Sequence, residues 1–469
     1  MTRHATPARL LSLGLLSTLG LLSACLPGQI EELQGQASTR VVNPSSSFGM
    51  PFFGQVVAGL SGTLEDGSPA SRLVVTAGAD TPFAFYDVED DGAFDLRDEL
   101  FSGCIDRAAG CDGEFGVAAV GLPSFSTERL CTAFGAPGAG TLDVVCESLG
   151  PIVRRVTPLA PVPGAPATEL GRGLAAMPAS TPWGVAIAGA PGTNALYVLS
   201  ASPALEPLTL PESLITPSGR LGQELAVAAL PAAFAAELSE AVLVAVTQPG
   251  VGRLVLLSVG LEPAIGTTPV ARLLGCIDGL TGDVSVAAGD VTGDGVPEVF
   301  FSDSQGPSAM THFSVRKLSL ADLRPENGCG LTATSDDPPT RRIMCPDLDS
   351  SISCAGFGET LALGDLDADG DQDLLVGAPY SEVAGRSDAG AVYVFPSTPS
   401  GFGDARVLVD SAPDSGARLG ASLSTVKTGL TGSARDEPLV GAPGANRVFV
   451  FLCSGIPGDS AGGAARCLP

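Results

Sequence analysis

Short apolar runs alternate with clusters of Gly, Pro and Asp along most of this chain. The clearest example is residues 357–395, where the runs Thr360–Gly364, Leu374–Val376 and Ala391–Phe395 are separated by an acidic segment and by a Gly-Ala-Pro turn. Apolar runs of this length, bounded by turn residues, are typical of β-strands. The pattern therefore predicts an all-β protein, with a few antiparallel strands in this stretch.

The same pattern recurs along the chain. A bulky residue followed by Gly opens a repeat, and most repeats then reach Gly-Ala-Pro or a degenerate form of it. The mean spacing is about 61 residues, which fits a propeller blade of four short strands better than a helical solenoid. The opening glycines are Gly54, Gly116, Gly171, Gly222, Gly282, Gly358 and Gly420.

The motif that begins at Phe357-Gly358 and reaches Gly377-Ala378-Pro379 resembles the FG-GAP repeat of integrin α-subunits and many bacterial surface proteins. In that family each repeat is one blade of a seven-bladed β-propeller, and the acidic hairpin loop binds Ca²⁺. The resemblance implies such a propeller over residues 48–455. The seventh repeat has no signal for an outer strand, so we expect Val41-Val42 and their neighbours to close the ring.

Two repeats carry oxygen-bearing side chains at alternate positions around a glycine in the first hairpin. Ca²⁺ takes about six to eight hard oxygen ligands from flexible loops. Thr292 is neutral, so we expect the fifth-repeat site to bind less tightly; the alternative for both loops is a plain acidic turn. The predicted ligands are Asp365, Asp367, Asp369, Asp373 and the Asp371 carbonyl in the sixth repeat, and Asp290, Thr292, Asp294, Glu298 and the Val296 carbonyl in the fifth.

A third acidic stretch has ligand-type residues spaced around Gly92 and resembles an EF-hand-type loop. It follows the first Gly-Ala-Pro position instead of preceding it, so we expect it in an insertion between the first two blades. A solvated acidic turn is the alternative. The candidate Ca²⁺ ligands are Asp87, Glu89, Asp91, Asp95 and Asp98.

The first 24 residues have the features of a secretory signal, with Arg3 and Arg9 before the apolar run 10–22. Its end, Leu22-Ser23-Ala24-Cys25, resembles a bacterial lipobox, which implies lipidation of Cys25; the alternative is an ordinary signal with a chance cysteine. We then expect a tether over residues 25–47, a tail over 456–469, and a lipid-anchored protein of the cell envelope, at the outer membrane or cell surface.

Ten cysteines remain after Cys25, and an even number favours disulfides in an oxidising compartment. Sequence alone does not fix their connectivity, and we expect pairing mostly between near neighbours. The expected pairs are Cys104–Cys111, Cys131–Cys146, Cys276–Cys329, Cys345–Cys354 and Cys453–Cys467.

The formal charge of −26 argues against nucleic acid and against electrostatic docking on anionic lipid. Outside the signal the chain has one histidine, His312, and no phosphate-binding loop or nucleophile elbow. We therefore expect no enzyme. The resemblance to integrins implies a binding or adhesion module for a protein partner or cell-surface ligand. A periplasm-facing assembly scaffold and a polysaccharide-acting propeller enzyme are the alternatives.

Overall fold

The computed structural model shows β-strands joined by turns and single 3₁₀ turns. The signal segment and Cys25 lie outside the residues that the structure describes. Those residues are 37–42, 52–63, 69–76, 83–88, 94–100, 116–122, 129–148, 155–159, 169–200, 204–216, 218–263, 268–282, 284–304, 313–320, 329, 331–332, 340–346, 351–398, 401–427 and 435–453.

Among the described residues, seven of the sheets each contain four antiparallel strands. We call these sheets blades. Blade 1 contains β2 (Val56–Thr63), β3 (Pro69–Thr76), β4 (Phe83–Val88) and β5 (Phe94–Leu100); blade 2 contains β6 (Ala119–Gly121), β7 (Arg129–Ala136), β8 (Thr141–Ser148) and β9 (Arg155–Leu159); and blade 3 contains β10 (Leu174–Ala176), β11 (Ala186–Ala190), β12 (Ala195–Leu199) and β13 (Leu205–Pro207). Blade 4 contains β14 (Leu225–Ala229), β15 (Ser239–Gln248), β16 (Arg253–Leu261) and β17 (Pro269–Asp278); blade 5 contains β18 (Val286–Gly289), β19 (Glu298–Ser304), β20 (Phe313–Ser319) and β22 (Thr340–Ile343); and blade 6 contains β23 (Thr360–Gly364), β24 (Asp373–Ala378), β25 (Ala391–Phe395) and β28 (Arg406–Leu408).

Blade 7 completes the ring with strands from both ends of the described chain. It combines β29 (Ser422–Val426), β30 (Glu437–Ala442) and β31 (Arg447–Cys453) with β1 (Ala37–Val42), which pairs antiparallel with β31. This pairing confirms the expected ring-closing strand. Two short additions are β21 (Leu331–Thr332), parallel to β17, and a ribbon of β26 (Ser397–Thr398) and β27 (Gly401–Phe402).

The first strand of each blade lies innermost, and these strands contact one another in cyclic order, with β2 of blade 1 touching β29 of blade 7. The fold is therefore a seven-bladed β-propeller. The second and third strands are buried on both faces; every residue of β24 and β25 is buried. Packing between neighbouring blades explains why these strands are continuous apolar runs instead of alternating ones.

The repeated Gly-Ala-Pro and opening glycines meet across the blade interfaces. Gly222, which opens blade 4, lies so close to Gly189 of blade 3 that a Cβ on Gly222 would be 2.7 Å from the Gly189 Cα. The same contact joins Gly54 of blade 1 to Gly441 of blade 7, so it also operates where the ring closes. The two halves of the repeat motif are thus the two sides of one backbone contact, which leaves no room for a side chain.

Three of the expected disulfides are present: Cys131–Cys146 across β7 and β8, Cys276–Cys329, and Cys345–Cys354. The other two pairs include Cys104, Cys111 and Cys467, which lie outside the described residues. Within the described ranges, no helix is long and apolar enough to cross a membrane.

Candidate metal centre

The hairpin between β23 and β24 gathers three carboxylates. Asp367 and Asp369 each accept a hydrogen bond from the backbone N–H two residues later, at 3.2 and 2.9 Å. Ala368 and Gly370 have φ values of 64° and 97°, and these left-handed residues turn the chain sharply. As a result, the carboxylates of Asp365, Asp367 and Asp369 each place an oxygen within 4.8 Å of the others.

The cluster has the chemistry of a hard-cation site. Asp365 accepts a hydrogen bond from the Gly370 N–H at 3.2 Å through Oδ2, while its Oδ1 is buried and has no hydrogen-bond partner. Burial raises the pKa of Asp367, and the neighbouring charges of Asp369 and Asp365 raise it further. A buried acceptor without a donor and three mutually repelling carboxylates both favour a divalent cation with oxygen ligands. The residues therefore fit Ca²⁺.

The last predicted ligand of this loop, Asp373, is not one of the three mutually close carboxylates. Its two oxygens accept hydrogen bonds from the backbone N–H groups of Leu366, at 2.9 Å, and Ser397, at 2.7 Å. Burial nevertheless raises the pKa of Asp373 to about 7, and the charges of Asp367 and Asp369 contribute in the same direction. In this geometry Asp373 joins the loop to the strand-end ribbon of blade 6.

Blade 7 supplies a residue that the sequence did not reveal. The Asp365 N–H donates to Asp436 Oδ2 at 3.0 Å, and the Asp436 N–H donates to the Asp365 carbonyl at 2.7 Å. Burial is the main cause of the raised pKa of Asp436. Blade 6 makes a similar backbone contact with blade 5, because the Gln372 N–H donates to the Asp290 carbonyl at 3.1 Å. Each acidic loop is therefore fixed by the following blade.

The fifth-repeat loop between β18 and β19 is satisfied by its own chain. Asp290 Oδ1 accepts from the N–H groups of Thr292 and Gly293, at 3.2 and 2.9 Å, and its Oδ2 accepts from the Gly295 N–H at 2.7 Å.

Further hydrogen bonds and an ion pair complete the fifth-repeat loop. Asp294 accepts from the Val296 N–H at 2.8 Å. Glu298 is buried, accepts from the Val291 N–H at 3.1 Å, and forms an ion pair with Lys317 at 2.8 Å. Among the described residues, the cluster of three mutually close carboxylates occurs in the sixth repeat and not in this one.

The third acidic stretch does not lie in an insertion between blades, so that expectation is wrong. Asp87 is in β4, and Asp95 and Asp98 are in β5, with Asp87 directly opposite Asp95 in the ladder. The physical reason is that aromatic and apolar residues alternate with the acids, as in a strand. Glu89 and Asp91 lie outside the described residues, so the binding of Ca²⁺ there stays a prediction.

Comparisons with known proteins agree with the propeller. The family model described as "FG-GAP repeat" matches residues 357–395. Mouse integrin α-7 is 32% identical over 190 residues, or 40% of this chain. Integrin α-PS5 of Drosophila melanogaster is 36% identical over 100 residues, and integrin α-3 of Cricetulus griseus is 37% identical over 103 residues, each covering 21% of this chain. These matches span 15%, 10% and 10% of the relatives' own lengths.

Proposed function

We propose that this seven-bladed β-propeller with FG-GAP repeats is a Ca²⁺-stiffened, non-catalytic module that binds a protein partner or cell-surface ligand. The observation that carries the proposal is the hairpin of blade 6, where three carboxylates converge and Asp365 Oδ1 is buried without a donor. Partial similarity to integrin α-subunits supports the binding role. Fold alone does not establish function, so the proposal is decided by experiment.

The ion would be held by Asp365, Asp367 and Asp369, with the Asp371 carbonyl and Asp373 completing the sixth-repeat set. When bound, Ca²⁺ adds two positive charges directly between these carboxylates. The chain's own residues then fix two strands of blade 6 in register and, through Asp436, attach blade 7 to the same hairpin. The fifth repeat would bind Ca²⁺ more weakly through Asp290, Thr292, Asp294 and Glu298 and the Val296 carbonyl.

We further propose that the signal 1–24 is removed and that Cys25 carries lipid. The segment 25–47 would link the lipid to the propeller over residues 48–455, with 456–469 as a tail, and the protein would face the cell envelope at the outer membrane or surface. The lipobox-like sequence before Cys25 supports this arrangement. Replacement of Cys25 by Ser should then release the protein from membranes in cell fractionation.

The decisive experiment is affinity capture from envelope extracts with the full chain, in Ca²⁺ and in chelator. We expect a protein or surface ligand that is retained in Ca²⁺ and lost in chelator, and lost equally by Asp369→Asn in Ca²⁺. Asp388→Asn is a matched control, because Asp388 is an exposed acid elsewhere on blade 6. Capture that is indifferent to Ca²⁺ and to Asp369→Asn, or hydrolysis in a glycan screen, would contradict the proposal.

A further inference from the structure

The residue at the start of the second strand is a buried carboxylate in three consecutive blades. These residues are Glu298 in β19, Asp373 in β24 and Glu437 in β30. A buried carboxylate has a large desolvation cost unless an opposite charge or several donors compensate it. How each blade provides that compensation distinguishes the three hairpins.

Blade 5 uses a lysine. Lys317 Nζ lies 2.8 Å from Glu298 Oε1, and both side chains are mostly buried, at 15% and 6% exposure. The Lys317 ammonium also lies 5.7 Å from the ring centroid of Phe402 in blade 6, which fixes the cation at the interface between the two blades. The ion pair is therefore well shielded from solvent.

Blade 6 has no such cation at the corresponding position. Phe300, two residues after Glu298, pairs with Lys317 across the ladder; Leu375, two residues after Asp373, pairs with Val394. Val394 therefore occupies in blade 6 the position that Lys317 occupies in blade 5. Within the described residues, no ion pair joins Asp373 to a basic side chain. In blade 7 a buried arginine, Arg435, interacts electrostatically with Glu437 and, more weakly, with Asp367 of the blade 6 cluster.

The first aspartate of the acidic loop also differs between blades 5 and 6. In blade 5 both oxygens of Asp290 accept hydrogen bonds from loop N–H groups. In blade 6 Asp365 Oδ1 is buried and accepts none. In blade 5, which has Lys317, the oxygens of Asp290 and Glu298 have partners within the protein. In blade 6, which has no lysine at that position, Asp365 Oδ1 has no hydrogen-bond donor.

We propose that Lys317 is a built-in cation that weakens Ca²⁺ binding in blade 5 and supplies the charge compensation there, so that it determines which of the two acidic hairpins depends on the metal. This inference deepens the proposed function and rests on Ca²⁺ binding at blade 6. The ammonium neutralises Glu298 and repels a second cation at the same loop. Blade 5 is then folded at any Ca²⁺ concentration, and blade 6 responds to it.

The test is Lys317→Met in the full chain, because methionine keeps an apolar stem of similar length against Phe402. Lys317→Arg keeps the charge and is the matched control. Bound Ca²⁺ is counted by equilibrium dialysis with elemental mass spectrometry, and the thermal midpoint is measured in Ca²⁺ and in chelator. We expect one tightly bound Ca²⁺ in the unmodified chain and in Lys317→Arg, and two in Lys317→Met.

The affinity of the second ion should rise on the order of tenfold, and Lys317→Met should lose thermal stability in chelator and regain it in Ca²⁺. Lys317→Gln, a second neutral variant, should behave similarly.

Several results would overturn the inference. One is an unchanged count of one ion in both neutral variants; another is two equally tight ions in the unmodified chain. Neutral variants that fail to fold even in Ca²⁺ would also contradict it, since the ion must be able to replace the ammonium. No bound Ca²⁺ in any folded variant would instead refute the proposed function itself, which keeps the two failures distinguishable.

Discussion

Asp369 is the most exposed of the three clustered carboxylates, and it can be neutralised with little change in shape. Asp369→Asn keeps an oxygen that can accept from the Asp371 N–H. We expect this variant to bind one Ca²⁺ fewer per chain and to lose most of the Ca²⁺-induced rise in melting temperature. For the unmodified chain that gain is about 2.7 kcal/mol at a hundredfold excess over Kd.

Metal counting and thermal unfolding with and without chelator check this expectation, with Asp388→Asn as the control. An unchanged metal count in Asp369→Asn would show that the cluster is an acidic turn without an ion.

Asp373 makes the metal-free protein sensitive to pH. Its pKa is raised to about 7 in the folded state from an ordinary value of 3.8, so between these values the folded state holds more of this proton than the unfolded state. The stability it contributes is complete below about pH 4 and is lost as pH rises to 7. In chelator we therefore expect the free energy of unfolding to decrease from pH 5 to pH 8.

Urea unfolding at several pH values in chelator measures this slope, and Asp373→Asn should flatten it. In Ca²⁺ the trend should reverse, because the cation competes with protons for the carboxylates. A metal-free stability that rises over this range would contradict the assignment.

The three clustered carboxylates of the sixth repeat, Asp365, Asp367 and Asp369, were predictable as a group because they lie at alternate positions in one short loop. The predicted runs 360–364 and 391–395 coincide with β23 and β25, and the second run lies within β24. Asp436 and Lys317 were not predictable, because each reaches its loop from another blade or another strand. Long-range partners leave no local pattern in a single sequence.

At the scale of the element, the third acidic stretch shows where the expected placement in an insertion was wrong. Phe94 and Leu96 alternate with acids, and β5 forms there as the fourth strand of blade 1. Strand propensity and the need to complete a four-stranded blade explain this placement. The blades whose repeat motifs are degenerate were nevertheless located correctly from the sequence, because each opening glycine still lies shortly before the first strand of its blade.

The glycine contacts between blades make a prediction for one element. Gly189→Ala would place a methyl group against the carbonyl of Gly222 with no flexible side chain to move. We expect a loss of about 2 kcal/mol or more in the free energy of unfolding. Gly403→Ala is the control, because a Cβ there has ordinary contacts of 3.5 Å or more. Denaturant unfolding compares the two, and equal stabilities would show that the blades can separate slightly at no cost.

At the scale of the whole molecule, the ring is closed by β1, and the metal hairpin lies two blade interfaces away from blade 1. Val42, Phe53 and Val448 share one buried cluster, so among the described residues the closure rests on apolar packing, the β1–β31 strand pair and neutral hydrogen bonds such as that from Ser422 Oγ to the Gly54 carbonyl. Ring closure is therefore expected to be independent of Ca²⁺. The blade 6–7 interface differs, because its hairpins are joined through Asp365 and Asp436.

The difference between these two blade interfaces predicts which parts of the ring bound Ca²⁺ stabilises. The Asp436 N–H donates to the Asp365 carbonyl, so fixing the blade 6 loop with an ion should also slow amide hydrogen exchange at Asp436 in blade 7. The Gly171 and Gly222 amides, which bond within blades 3 and 4, should exchange equally with and without the metal. Hydrogen exchange in Ca²⁺ and in chelator measures both sets in one experiment. Protection confined to residues 365–373 would show that the effect of the ion ends within its own hairpin, whereas uniform protection would mean that Ca²⁺ stabilises the ring as a single cooperative unit.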